Sequence, residues 1–241
     1  MRGIVNFIIV MVLTTVCGSL AMITVLIPGC SERFFIWAKL WGKCITSLCG
    51  VKVRGVMPPA DAGVDWNHPY VYMANHQSHY DIPCIYSVVP ANLRFLTKKE
   101  LRWVPFLGWS IWIAGYVFID RKRREDAFAS IARAAEDFKK KGHAITVFPE
   151  GTRSKDGVLQ PFKKGGFHLA IEAGARIIPM GITGTFKVLP RGTVNVHPAD
   201  VTIRVGAPID ASRYRRNDKE DLAALQAEVR TAIESLLRQE S

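Results

Sequence analysis

The chain has 241 residues, 49% of them apolar, enough for one sizeable domain with a real core and too few for two large ones. That apolar content excludes a disordered protein. A formal net charge of +11 calls for an anionic partner: lipid head groups, nucleic acid or a phosphorylated substrate.

The first predicted element is the uncharged run 4–28, "IVNFIIVMVLTTVCGSLAMITVLIP". As a helix it is about 37 Å long, enough to cross a hydrocarbon core of about 30 Å. A signal peptide has a shorter apolar region, and this run continues past the small residues at 19–21. A lipoprotein box at Cys17 fails because Val16 stands where a small residue is needed. The next stretch, "SERFFIWAKLWGKCITSLCG", interleaves Phe34, Phe35, Trp37 and Trp41 with Arg33, Lys39 and Lys43. Aromatics at head-group level and cations toward anionic phosphates make an interfacial helix. The first helix therefore either spans the bilayer or dips in and returns through the second. The anchor selects a lipid surface over nucleic acid as partner. The basic residues that follow it favour a main domain on the cytoplasmic side of an inner membrane. The expected division is membrane-associated helices at 1–50 and a catalytic domain at 51–241. Cys17, Cys30, Cys44, Cys49 and Cys84 show no zinc spacing and read as free thiols, so no metal is expected.

Beyond the anchor, strand-type runs alternate with helical stretches. "YVYMA" (70–74), "LRFLT" (93–97), "YVFID" (116–120), "AITVF" (144–148), "RIIPMGI" (176–182) and "VTIRVGA" (201–207) read as strands. Residues 125–141 carry Phe128, Ile131, Ala135 and Phe138 at helical spacing, with acids first and lysines last, as the helix dipole favours. Further helices are predicted near 165–174 and at 218–238. The alternation predicts an α/β fold: a mixed or largely parallel sheet flanked by helices, behind an N-terminal membrane-anchoring segment. "LRWVPFLGWSIWIAG" (101–115) carries Trp103, Phe106, Trp109 and Trp112, read first as core or channel lining and second as interfacial insertion.

Chemistry concentrates after two of these strands. In "NHQSHYD", His76 stands five residues before Asp81. On one continuous helix the two would lie about 140° apart, but with His76 in the preceding turn its ring can swing back onto the carboxylate. That pairing fixes the tautomer and leaves one nitrogen as a general base for an alcohol. Ser78 and Asp81 also have the S-x-x-D spacing of a capping box, and in that reading Asp81 only starts a helix. The chain has no G-x-S-x-G, so the activated hydroxyl belongs to a substrate. The second site is "FPEGTRS", where Glu150, Gly151, Thr152 and Arg153 follow the 144–148 strand. Glycine lets backbone amides approach an anion, and Arg grips phosphate bidentately. The plain alternative is a turn with a solvated arginine. Lys98 with Lys99, Arg121 through Arg124, and Lys163 with Lys164 add further basic clusters.

In these pieces the chain resembles the 1-acyl-sn-glycerol-3-phosphate acyltransferase (lysophosphatidic acid acyltransferase) family, from Val71 to Ile182. The N-H-x-x-x-x-D signature is met by Asn75, His76 and Asp81, the second block by "GYVFIDR" with Arg121, the third by "FPEGTRS", and the fourth by "IIPMGI" with Pro179. H-x-x-x-x-D alone is weak; with F-P-E-G-T-R-S at this distance it is specific. The resemblance implies that His76 takes the proton of the sn-2 hydroxyl of 1-acyl-glycerol-3-phosphate while that oxygen attacks an acyl thioester, giving phosphatidic acid. It implies that Asp81 orients His76. It also implies that Lys98, Arg121, Glu150, Gly151, Thr152, Arg153, Lys163 and Pro179 form the substrate site. The co-substrate would be acyl-CoA or an acyl-acyl carrier protein, with no cofactor. Rival readings are an O-acyltransferase for glycerol-3-phosphate or another lysolipid, and a non-catalytic anionic-lipid-binding membrane protein.

Overall fold

The computed structural model describes residues 2–119 and 124–239. Arg121 lies outside the described residues, as do Asp120 and the side chain of Phe128. The chain opens with an apolar helical hairpin, α1 (Arg2–Leu26) and α2 (Phe34–Leu48). Along its inner face the indole N–H groups of Trp37 and Trp41 donate to the hydroxyls of Thr24 and Thr14 at 2.8 and 3.1 Å. Its outer face leaves Ile4, Phe7, Ile8, Met11, Ile23, Leu26, Ile36 and Leu40 exposed. Exposed apolar side chains on two adjacent helices are unstable in water and stable in lipid.

The α/β part runs β1 (Lys52–Val56), β2 (Val71–Ala74), α3 (Asp81–Val88), β3 (Leu93–Phe95), β4 (Thr97–Lys98), α4 (Leu107–Ile113), β5 (Phe118–Ile119), α5 (Arg124–Lys141) and β6 (Ala144–Val147). It continues with α6 (Gly165–Ala173), β7 (Arg176–Thr183), α7 (Thr185–Val188), β8 (Asp200–Val205), β9 (Ile209–Asp210) and α8 (Lys219–Arg238). The main sheet has the order β1-β8-β7-β2-β6-β3, with β9 also on β7. Strands β3, β6, β2 and β7 are parallel neighbours, and β8 and β9 pair antiparallel with β7. The expected mixed sheet flanked by helices is what forms. Residues 93–97, read as one strand, divide between two sheets: the N–H of Leu96 still reaches Thr146 at 2.9 Å, and that of Thr97 reaches Val117 at 2.9 Å. Lys98 then pairs with Ile119 in the small β4–β5 sheet.

Alternation along β2 separates two cores. Val71 and Met73 pack with Ile131, Phe138, Phe167, Leu225 and Val229, beneath α5, α6 and α8. Tyr70, Tyr72 and Ala74 face the other way, onto Phe35, Ile45, Cys84 and Ile85 of α2 and α3. The hairpin therefore completes one side of the core. At its turn Glu32 meets the buried Arg94 at 3.0 Å, and Arg94 also donates to the Ala114 carbonyl at 2.9 Å.

The tryptophan-rich segment departs from its first reading. Trp103 is 77% exposed, Trp112 51% and Trp109 44%, so these rings do not fill the core. Arg102 lies over the Trp112 ring, 4.4 Å from its centroid. The segment packs on α1, where a Cβ at Gly18 would stand 3.2 Å from the Phe106 carbonyl oxygen.

Candidate active site

Three loops converge where β6, β2 and β7 end side by side. In a sheet of this kind, chemistry collects beyond the carboxyl ends of parallel strands. The loop after β2 carries His76, the loop after β6 carries Glu150 to Arg153, and α7 with its following turn comes after β7. Asn75 fastens the first to the third: its Nδ2 donates to the Ile182 carbonyl at 2.8 Å and its Oδ1 accepts the Ile182 N–H at 2.7 Å. Both bonds are buried, where an amide left unpaired costs about 1–3 kcal/mol.

The histidine is fixed at backbone and ring. Its N–H donates to Glu150 Oε1 at 2.6 Å, and its carbonyl accepts the Ser154 N–H at 2.8 Å. Its ring stacks on Phe148, centroids 4.0 Å apart and planes 12° from parallel. Nδ1 lies 2.7 Å from Asp81 Oδ2. The same oxygen accepts the N–H groups of Gln77 and Ser78 at 2.8 and 3.0 Å. Asp81 thus caps the turn and contacts the imidazole with one and the same atom. Because an ionised carboxylate only accepts, Nδ1 carries the hydrogen and the unshared pair lies on Nε2. Among the described residues Nε2 has no hydrogen-bond partner, and the His76 side chain is 16% exposed, so it remains open to a ligand.

Glu150 has a place that its spacing did not reveal. It is 2% exposed, and its second oxygen accepts the Gln160 N–H at 2.8 Å. Both oxygens are engaged by the backbone, so it clamps the His76 loop to the 160 segment and does not face a ligand. Burial raises its carboxyl above the usual range, opposed by the Gln160 and His76 amides. Gly151 has φ +70, and a Cβ there would stand 2.8 Å from Lys163 Cδ, so the Lys163 stem lies across this glycine. Thr152 is exposed beside it. Pro179 is a correction to the expected set: it is buried within β7 opposite Met73, and its carbonyl accepts the Gly206 N–H at 2.9 Å. It packs the sheet.

The mouth is cationic. Arg153 is half-buried; burial lowers its pKa first, the Arg191 charge lowers it further, and Asp81 opposes both. His79 is exposed at residue level, yet desolvation of its ring leads the causes that lower its pKa, followed by Arg153 and His76, with Asp81 opposing and Lys98 adding a smaller effect. Arg153 and Lys98 thus both bear on His79. Lys163 also borders a separate open cleft of about 580 Å³ with Lys164, His168, Arg216 and Lys219, on the α6 and α8 side of the sheet.

Known proteins match this arrangement. A family model described as Acyltransferase covers residues 51–183. The 1-acyl-sn-glycerol-3-phosphate acyltransferase of Escherichia coli (strain K12) is 38% identical over 180 residues, 75% of this chain and 71% of that protein. The chain belongs to the 1-acyl-sn-glycerol-3-phosphate acyltransferase family. The acyltransferase of the same name from Saccharomyces cerevisiae is 33% identical over 180 residues, covering 72% of this chain and 59% of its own length. The crystal structure of the 1-acyl-sn-glycerophosphate (LPA) acyltransferase PlsC from Thermotoga maritima superposes with a TM-score of 0.79 at 27% identity, over 100% of both chains.

Proposed function

We propose that this protein transfers an acyl chain from a thioester to the sn-2 hydroxyl of 1-acyl-sn-glycerol-3-phosphate, forming phosphatidic acid. The observation that carries the reading is the 2.7 Å contact between His76 Nδ1 and Asp81 Oδ2, which leaves Nε2 as an open base beside a cationic mouth. Nε2 takes the hydroxyl proton as the oxygen attacks the thioester carbonyl, and Asp81 stabilises the imidazolium that forms. The proton then passes to the departing thiolate. The thioester is already activated, so this chain of events asks for no metal or nucleotide hydrolysis. Arg153, Lys98 and Arg121 supply the charge for the acceptor's phosphate, and Lys163 stands at its edge. The donor is acyl-CoA or an acyl-acyl carrier protein, both anionic and matched to the positive balance. Lipid acceptor and product agree with the exposed apolar hairpin, and the location proposed with them is the cytoplasmic face of an inner membrane.

The test is acyl transfer from labelled acyl-CoA, by wild type and His76→Ala, to 1-acyl-glycerol-3-phosphate and to glycerol-3-phosphate in parallel. Labelled phosphatidic acid from the lysolipid alone, falling about 10²–10⁴-fold in the variant, supports reaction and base together. Transfer to glycerol-3-phosphate instead moves the substrate. No product with either donor, while vesicle binding persists, sinks the enzyme reading.

A further inference from the structure

The turn after α7 is built into the site by contacts independent of the histidine and its carboxylate. The buried Ser78 hydroxyl donates to the Leu189 carbonyl at 2.9 Å, fastening this turn to the turn that carries His76. Two residues on, Arg191 Nη1 donates to the Arg153 carbonyl at 3.0 Å. The N–H and hydroxyl of Thr193 both reach the Pro190 carbonyl, at 3.3 and 3.1 Å, closing the chain around Arg191. The Arg191 guanidinium is thereby held at the backbone of Arg153, with most of its donors unspent.

Arg191 is exposed, and its positive charge bears on the half-buried Arg153. Asp81 opposes this effect only from a distance, being engaged with His76 and two amides, Glu150 is engaged with two amides, and among the described residues Arg153, Arg191 and Lys98 form no ion pair. An anionic group entering between Arg153 and Arg191 would meet two planar forks. We infer that Arg191 is the second guanidinium of a phosphate-monoester clamp, acting with Arg153 and Lys98 on the acceptor's head group. A monoester offers three terminal oxygens and close to two charges, which suits two planar forks. A lysolipid whose phosphate is esterified again has one charge and one oxygen fewer, and its substituent must occupy the space between the forks. Arg191 therefore selects the acceptor as well as binding it. This inference rests on the proposed function and names a residue that selects its substrate.

The experiment compares wild type with Arg191→Ala, Arg191→Lys and, as a charge control on α7, Lys187→Ala. Arg191→Ala should raise KM for 1-acyl-glycerol-3-phosphate about 10- to 100-fold, the loss of one charge-assisted interaction, with kcat and the KM for acyl-CoA little changed. Its preference for that acceptor over a lysophosphatidylcholine should narrow, and Arg191→Lys should recover part of the affinity. Calorimetric titration with glycerol 3-phosphate should weaken in parallel, a readout that does not depend on turnover. An unchanged acceptor KM, a fall in kcat alone, or an equal effect from Lys187→Ala overturns the clamp while leaving the acyltransferase reading intact. A wild type that neither transfers acyl groups nor binds glycerol 3-phosphate overturns both.

Discussion

Glu150 accepts the backbone N–H of His76 at 2.6 Å while its other oxygen accepts that of Gln160 at 2.8 Å. A buried carboxylate thus sets the position of the base from behind, without touching the face that meets a substrate. A glutamine offers one acceptor and one donor where two acceptors are needed, so one amide is left unpaired. Glu150→Gln should cost about 1–3 kcal/mol at neutral pH. The sign with pH follows from the raised carboxyl, with burial the leading cause. Between the ordinary value and the raised one, the folded state binds more protons than the unfolded state. This group's contribution is therefore fully present below the ordinary value and lost as pH rises through the raised one. Melting temperatures of both proteins across that acidic window should show the wild type losing ground to the variant as pH rises. Parallel curves would refute this.

Asp81 presents a different balance, because Oδ2 takes three donors while the buried Oδ1 has no hydrogen-bond partner. In Asp81→Asn the amide oxygen can occupy the Oδ2 position and keep the Gln77 and Ser78 bonds. What is lost is the charge that stabilises the imidazolium. We expect kcat to fall at least about tenfold, with the acceptor KM nearly unchanged, while the new buried NH2 costs about 1–3 kcal/mol. Steady-state kinetics and thermal melting on the same preparation separate the two effects. A variant that melts early with full kcat would reduce Asp81 to a cap.

These roles mark where sequence reading stops. The contact of His76 with Asp81 is local, five residues apart across a turn, so spacing alone could raise it. The central strands are legible because both their faces are buried, which makes them continuous apolar runs. β1 escapes notice because "KVRGV" lies at a sheet edge and keeps its charges in water. Glu150 looks like a substrate-site acid in a P-E-G turn, since its partners, at 76 and 160, meet it only in the folded chain. Pro179 lies in a matching motif yet packs the sheet. Arg191 reads as an ordinary P-R-G turn; the Ser78 to Leu189 bond, spanning 111 residues, and its own bond to the Arg153 carbonyl bring it to the site.

The exposed Trp103, Trp109 and Trp112 sit on a segment that packs against the apolar helix α1, which places them beside any bilayer that α1 enters. Indole rings settle at the head-group level, where Arg102, stacked on Trp112, would meet lipid phosphate. Vesicles containing phosphatidylglycerol should shift tryptophan emission to the blue. Replacing all three rings by serine should remove most of the shift and weaken vesicle binding by about tenfold or more. Turnover on detergent-dispersed substrate should survive. Equal binding by wild type and triple variant would remove this segment from the membrane surface.

Gly42 tests whether the hairpin only tethers. A Cβ at this position of α2 would lie 2.6 Å from the Pro83 carbonyl oxygen and 2.8 Å from Tyr86 Cβ, so α2 and α3 touch with no room for a side chain. α3 begins at Asp81, and just before it the Tyr80 hydroxyl donates to Cys49 Sγ at the end of α2, at 3.1 Å. The carboxylate that contacts His76 is thus seated between two contacts with the apolar hairpin. Gly42→Val must push α3 outward, and overpacking of this kind costs about 1–3 kcal/mol. The displacement reaches Asp81, so kcat should fall together with stability, and Gly42→Ala should fall between the two proteins in both. Melting and turnover in detergent, where no bilayer is needed, read the effect directly. Full kcat in a destabilised Gly42→Val would mean that the base holds its geometry without α2, leaving the hairpin as a tether alone.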